Sequence, residues 1–466
     1  MVQTLYIEYL SNLLKGKHDI GKASEILPFS SRRANDYRNR FQGVLGELVR
    51  TICQLEIDNK STRNKDYYFS TEGNPLSEYI ASNVEFENDD DMYNFVRFIN
   101  DFLFSQNDIK PVHPFLFNYL EADGKKNEFV KFARFIKDTL IQDNTNIKEI
   151  FMTKESEDVL TELILEKLDS LKERKEENIQ YQPLIKSLVK VYQDDILFLS
   201  KYKDYFLTSF SPITQFYSFM YVCQLIIKFD QFVGGDLEEV QPIYFALDWE
   251  TINKRRKAAS ELDGFKLVKN KSVNLFPHVH TLSQLSHNVF NEDLYNKEQK
   301  LTVLTYKELF ERVQEKGSEF EHEFLKDLKE WIEEYRSLKK VKTIDDSEDI
   351  PSAFKVLFNC LKEGMNQDVS EKYGKSIEDL GVSHFLKSRG SLGQILNIKH
   401  DFLLLLTAVS VKDKRIPLNE LFIEFEKRGV AFDRYSKKEI INLLDNLNII
   451  DKKSDSGDSQ YVKPIL

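Results

Sequence analysis

The chain has 466 residues and carries 65 Lys and Arg against 76 Asp and Glu, a net charge of −11. That length exceeds one ordinary core and predicts about two or three domains. The acidic balance excludes a surface built wholesale to coat nucleic acid and leaves such work to local basic patches. Cys53, Cys223 and Cys360 are odd in number, far apart and set in apolar helical surroundings. They read as buried free thiols of a reducing compartment, and with no basic-then-apolar leader at the N-terminus the expectation is a cytoplasmic protein.

Residues 1–58 have a helical texture, with Leu45, Leu48, Val49, Ile52 and Leu55 as an apolar stripe. Arg32, Arg33, Arg38 and Arg40, interleaved with Phe29, Tyr37 and Phe41, are candidate phosphate and base contacts, although a solvated helix face with Tyr37 and Phe41 turned inward is the simpler account. Asp66–Phe69 reads as a short strand, and Glu85–Asp91 as a solvated acidic loop without the glycine and terminal Glu of a calcium loop. A series of amphipathic helices is expected from Tyr93 to Ser200, the stretch Glu155–Asn178 being the most charged. Tyr205–Ile227 holds no charge over 23 positions. Its Ser, Thr, Gln and Pro content makes it a buried globular helix and not a membrane span.

Gln241–Trp249 is a strand-like run ending at Asp248, followed by the basic Lys254–Lys257. A carboxylate at a strand's end suits metal-dependent phosphodiester chemistry, but no second carboxylate arrives to match it. On a strand, His278 and His280 would share a face, with His287 seven residues on; without a nearby Cys or acidic partner they are not assigned to a metal. Phe320, Phe324, Leu328, Trp331, Tyr335 and Leu338 step by three and four, the seam of a packed helical hairpin. Val341–Pro351 is the first linker candidate and Gln367–Gly393 the second. The latter contains Gly374-Lys375-Ser376, yet Val369 stands where a phosphate loop needs glycine. No nucleophile elbow, dinucleotide fingerprint or Cys-x-x-Cys pair occurs, and Glu298–Lys300 only faintly echoes a nuclease triple.

The last 67 residues carry the most specific pattern. An apolar run at Phe402–Val411 is followed by extended Arg415–Pro417. A second helix has Leu418, Leu421, Phe422 and Phe425 on one face and Gly429 as its C-cap. Ser436 stands as an N-cap with Glu439 closing a capping box, ahead of a third helix with Ile440, Ile441, Leu443, Leu444 and Leu447. Strands at Asn448–Lys453 and Gln460–Lys463 flank a polar turn. This is the order of a winged helix-turn-helix, whose third helix commonly enters the DNA major groove. Eight Lys and three Arg against seven Asp and four Glu leave the module with no net charge, so duplex contact and protein docking both stand open.

The run Arg389–Gly393, then Asp401–Thr407, Arg415–Leu418, Lys427–Gly429 and Lys452–Leu466, resembles the DptG family, the G subunits of bacterial DNA phosphorothioation-dependent restriction systems. The resemblance is strongest over the last 80 or so residues. It implies an antiviral defence protein acting beside F and H subunits that look like ATPase and helicase-like members, on double-stranded DNA lacking phosphorothioate marks. No catalytic motif comes with it. The expectation is a mainly α scaffold with minor β. Its parts are an N-terminal helical domain at 1–200, a central helical domain with a strand-like segment at 201–340, a linker with connecting helices at 341–393, and a winged helix at 394–466. Lys437, Lys438, Asn442, Lys452 and Lys453 are the first candidates for duplex contact, and Arg32, Arg33, Arg38 and Arg40 the second. No catalytic residue, metal ligand, cofactor or membrane contact is assigned. The competing expectation is a divergent metal-dependent nuclease using Asp248; a transcriptional regulator is the third.

Overall fold

The computed structural model describes residues 4–15, 26–29, 41–58, 75–105, 108–120, 126–175, 178–250, 264–291, 302–342, 346–390, 393–452 and 460–466. The described chain is mainly helical, with five sheets of two or three short strands. It forms two compact units that are discontinuous in sequence. One comprises Met1–Arg38, Tyr181–Val191 and Phe216–Leu466, the other Asn39–Gln180 and Tyr192–Gln215.

In chain order the first helices are α1 (Ile7–Leu14), α2 (Phe41–Cys53), α3 (Pro75–Ser82) and α4 (Asp89–Leu103). The expected stripe of α2 holds, with Leu45, Leu48, Val49 and Ile52 buried. Leu55 lies beyond it in β1 (Leu55–Ile57), which pairs antiparallel with β4 (Leu171–Glu173). Glu85–Asp91 is only partly a loop. Asn88 caps α4 by accepting from the Asp91 N–H, and Asp89, Asp90 and Asp91 form the first turn, where carboxylates oppose the positive helix end. A short pair, β2 (Phe104–Ser105) and β3 (Asp108–Ile109), leads to a 3-10 turn at Pro114–Tyr119. α5 (Lys126–Ile136) then runs into a π-helical turn at Lys137–Ile141, followed by α6 (Thr145–Met152) and α7 (Val159–Glu166). The charged stretch Glu155–Asn178 is therefore one short helix and a strand, not a long helix.

α8 (Lys186–Leu199) precedes α9 (Lys203–Asp230), the uncharged helix expected to be buried. From Phe216 to Phe229 nearly every side chain is enclosed, and its polar groups are matched locally: Gln224 accepts from the Gln241 N–H at 2.8 Å and donates to the Gln241 carbonyl at 2.7 Å. Among the described residues no helix is long and apolar enough to cross a membrane. All three cysteines are buried and free. Burial pushes the Cys53 thiol up to about 12 and that of Cys223 well above its ordinary value.

The strand-like run at Gln241–Trp249 is β5 (Ile243–Tyr244) and β6 (Ala246–Leu247). After α10 (Phe265–Ser272) comes α11 (Leu275–Leu285), which holds His278 and His280 on a helix, not on a strand. Their side chains do not share a face; His278 Nδ1 meets Tyr306 Oη at 3.0 Å and its ring stacks on Phe358. α12 (Tyr306–Glu315) and α13 (Ser318–Lys339) follow. The seam of α13 is real, since Phe324, Leu328, Trp331 and Tyr335 are buried, and Trp331 Nε1 donates to Gln284 Oε1 at 3.0 Å.

Pro351 starts a helix instead of stopping one. It occupies the first turn of α14 (Ile350–Gly364), capped by Asp349, a position where the missing proline N–H costs nothing. The second linker candidate is likewise structured, as α15 (Gln367–Gly381) with Tyr373, Ile377 and Leu380 buried, then β7 (Leu386–Ser388). β7 pairs antiparallel with β8 (Gln394–Ile398), and β8 pairs in parallel with β6. Gly374 belongs to a helix crossing, not to a phosphate loop: a Cβ there would press on the Ser272 carbonyl carbon at 2.7 Å.

The C-terminal region contains α16 (His400–Val411), β9 (Ile416–Pro417), α17 (Leu418–Lys427), β10 (Val430–Ala431), α18 (Arg434–Asn446), β11 (Ile450–Lys452) and β12 (Gln460–Val462). β11 and β12 form the expected hairpin, and β9 joins them to give the order β11-β12-β9. Leu418, Leu421, Phe422 and Phe425 are buried, and Gly429 ends α17 at φ +83°. Two features differ from expectation. The cap of α18 is Asp433, whose carboxylate accepts from the Tyr435 and Ser436 N–H groups, so Ser436 is an interior, buried position. The region is also not self-contained, because β10 pairs in parallel with β5.

Candidate nucleic-acid interface

The buried side of α18 is set by Ser436, Ile440 and Leu444. With that side fixed, the helix turns Arg434, Tyr435, Lys438, Glu439, Asn442 and Asp445 outward as exposed residues. Two of the six are cationic and two anionic, so the face is neutral. Tyr435 is 65% exposed, the largest apolar surface on the helix.

The candidate contact residues separate on this geometry. Lys438 and Asn442, one turn apart, both lie on the exposed face. Lys437 does not: its Nζ sits 5.0 Å from the centre of the Phe422 ring and 3.7 Å from Glu426, so it ties α18 to α17. Lys452 contributes backbone to β11 opposite Gln460. Lys453, together with Arg32, Arg33, Arg38 and Arg40, lies outside the described residues, as do Asp66–Phe69, Lys254–Lys257 and Glu298–Lys300. The structure therefore brings two of the nine candidates together on one open surface.

No protein-family model and no curated protein matches the chain.

Arg434 and Tyr435 extend the Lys438–Asn442 face by a turn; a cap at Ser436 would place both before the helix, whereas the cap at Asp433 places them in its first turn. Arg428 was missed entirely. It is 2% exposed, and its guanidinium donates to Glu424 Oε2 at 2.9 Å, to the Glu424 carbonyl at 2.9 Å and to the Val409 carbonyl at 3.0 Å. A cation between two helices of this region holds α17 against α16, and only the spacing Glu424 to Arg428 hinted at it. On the strand side, Arg415 lies over the Tyr461 ring at 5.4 Å, and both Arg415 and Lys463 approach Asp451. These basic residues are spent within the sheet.

Asp248 also has a settled environment. Its N–H donates to the Ile398 carbonyl at 2.9 Å, its carboxylate accepts from Lys387 and from Asn397 Nδ2 at 3.0 Å, and its carbonyl accepts from Arg389 at 3.1 Å. Next to it Trp249 stacks on His400 with centroids 3.7 Å apart. Lys387 above all holds the Asp248 carboxyl below the ordinary carboxylate range. The residue pins β6 to the β7–β8 hairpin. Among the described residues no three His, Cys, Asp or Glu side chains are grouped to hold a metal ion. Asp248→Asn is expected to cost about 1 kcal/mol at neutral pH. A carboxyl depressed on folding stabilises the native state above its unfolded pKa and loses that contribution as pH falls through the folded one. The penalty should therefore fade in acid, which urea titrations at neutral and acid pH would test.

Proposed function

We propose that this chain is a scaffold subunit of a DNA phosphorothioation-dependent restriction complex, and that residues 394–466 are a winged helix-turn-helix that docks on one of the motor partners, the F or H subunit. The observation that carries the docking role is the outer face of α18, which is open, electrically neutral and centred on Tyr435. The succession α16, β9, α17, α18, β11, β12, with β9 against β12, supports the winged-helix reading. The restriction role rests on the sequence resemblance across Arg389–Leu466. A face that joins an exposed aromatic to both signs of charge suits a protein partner, since aromatic anchors dominate such contacts. A duplex-gripping face needs an excess of cations, and a chain of net charge −11 opposes DNA at long range.

Direct duplex contact is the second reading. Lys438 and Asn442 favour it, because they lie one turn apart on the helix that in such modules reads base edges. Co-expression with tagged F and H subunits discriminates the docking role. Wild type should co-purify with them, and Tyr435→Ala/Lys438→Glu should reduce recovery by about tenfold or more. Undiminished recovery of the double variant would contradict docking through α18.

A further inference from the structure

A second surface, distant in sequence from the C-terminal region, lies wholly within the unit built from Asn39–Gln180 and Tyr192–Gln215. It is a cleft of about 200 Å³ where the end of α2, the end of α5, the start of α6 and the exit of β4 come together. Five cations line it: Arg134, Lys137, Lys148, Arg174 and Lys175. Among the described residues two carboxylates do, Asp138 and Asp143. Among the described residues the ion pairs leave positive charge over. Asp138 takes Arg134 and Lys137, each at 3.8 Å, while Asp143 takes Lys137 at 3.0 Å and Glu47 takes Arg174 at 2.7 Å. Among the described residues Lys148 meets no carboxylate within ion-pair distance; its Nζ lies 3.1 Å from the amide oxygen of Gln54. Lys175 is exposed at the rim.

The backbone of the wall is irregular as well. The π-helical turn at Lys137–Ile141 runs into Gln142 at φ +59° and ψ −141°, a conformation costly for a residue with a side chain. Single π turns of this kind concentrate at functional sites. Gln54, also at positive φ, lines the same cleft. Cations interleaved with the Gln54 amide and the Thr145 hydroxyl match the several acceptor oxygens of a phosphoryl group. The volume admits such a group and its immediate substituent but not a duplex.

We infer that this cleft binds a phosphate ester, either the terminal phosphate of a polynucleotide strand or that of a free nucleotide. The inference stands independently of the C-terminal docking face. Isothermal titration of the full chain with sodium pyrophosphate tests it. Wild type should bind saturably, Lys148→Glu/Lys175→Glu should bind at least about tenfold more weakly, and Lys148→Gln/Lys175→Gln should fall between them. Absence of saturable binding by wild type would overturn the site. Equal affinity in either variant, at an unchanged melting temperature, would overturn it too. Competition then names the source. Displacement of pyrophosphate by 5′-phosphorylated but not 5′-hydroxyl single-stranded DNA assigns a strand end, displacement by ATP alone assigns a nucleotide, and displacement by neither overturns the ester.

Discussion

Replacing Arg428 with alanine is expected to destabilise the unit containing Phe216–Leu466 by about 3 kcal/mol or more at neutral pH. The guanidinium is enclosed at 2% exposure and bridges Glu424 on α17 to the Val409 carbonyl at the end of α16. Its loss leaves a half-buried carboxylate with Lys427 alone and takes a donor from a buried carbonyl, and it opens a void where a large side chain had been. The pH dependence separates this account from simple loss of packing. In the wild type, burial would raise the Glu424 carboxyl, but Lys427 and Arg428 outweigh it and hold the group below its ordinary value. That contribution is present above the unfolded pKa and disappears as pH falls through the folded one. In the variant the carboxylate keeps only Lys427, so protonation relieves part of the defect, and the gap from wild type should narrow below about pH 4.3. Trp249 and Trp331 both belong to this unit, so urea titration followed by tryptophan fluorescence reads it directly. A gap under about 1 kcal/mol at pH 7, or one that widens in acid, would contradict the account.

The second large effect is expected at Gly46, in the other unit. A Cβ at this position would fall 2.8 Å from the Leu120 carbonyl carbon and closer still to its oxygen. The obstruction is backbone, which no rotamer change clears. The same carbonyl accepts from Arg50 at 2.9 Å, as does that of Asn118, so separating α2 from the Pro114–Tyr119 turn also strains two charge-assisted hydrogen bonds. Gly46→Ala gains about 1 kcal/mol of helix propensity. Overpacking costs about 1–3 kcal/mol and the weakened bonds about 1–2 more, so a net loss of about 1–4 kcal/mol is expected. Amide hydrogen exchange should show faster opening across Phe41–Cys53 and Pro114–Leu120. Unchanged protection there would mean that the two elements are not held as close as Gly46 permits.

These two positions also show what reading a sequence reaches. Leu418, Leu421, Phe422 and Phe425 announced α17 because burial repeats at the helical period, and the α13 seam did so for the same reason. Gly429 was readable because a helix end favours the left-handed residue that glycine tolerates. The parallel pairings of β5 with β10 and of β6 with β8 were not readable. Each joins a two-residue strand, too short to show alternation, to a partner more than 140 positions away. The cap of α18 was misplaced because Asp433 and Ser436 both suit an N-cap, and only the helix start decides between them. Lys437 looked as available as Lys438 because its tie to Phe422 and Glu426 is a tertiary contact. The phosphate cleft was invisible for a similar reason. Its cations are scattered between Arg134 and Lys175, and no local run marks them.

The central claim, that the α18 face docks a partner rather than grips duplex DNA, is tested most directly by titrating the full chain with unmodified duplex DNA across a salt series. The charge reversal Arg434→Glu/Lys438→Glu serves as the comparison, since Lys437 is already engaged. The account predicts weak binding that the double change leaves within about twofold, with tight association appearing only when the motor subunits are added. Tight binding by the chain alone, falling steeply with salt and lost in the double variant, would contradict it and make α18 a reader of DNA.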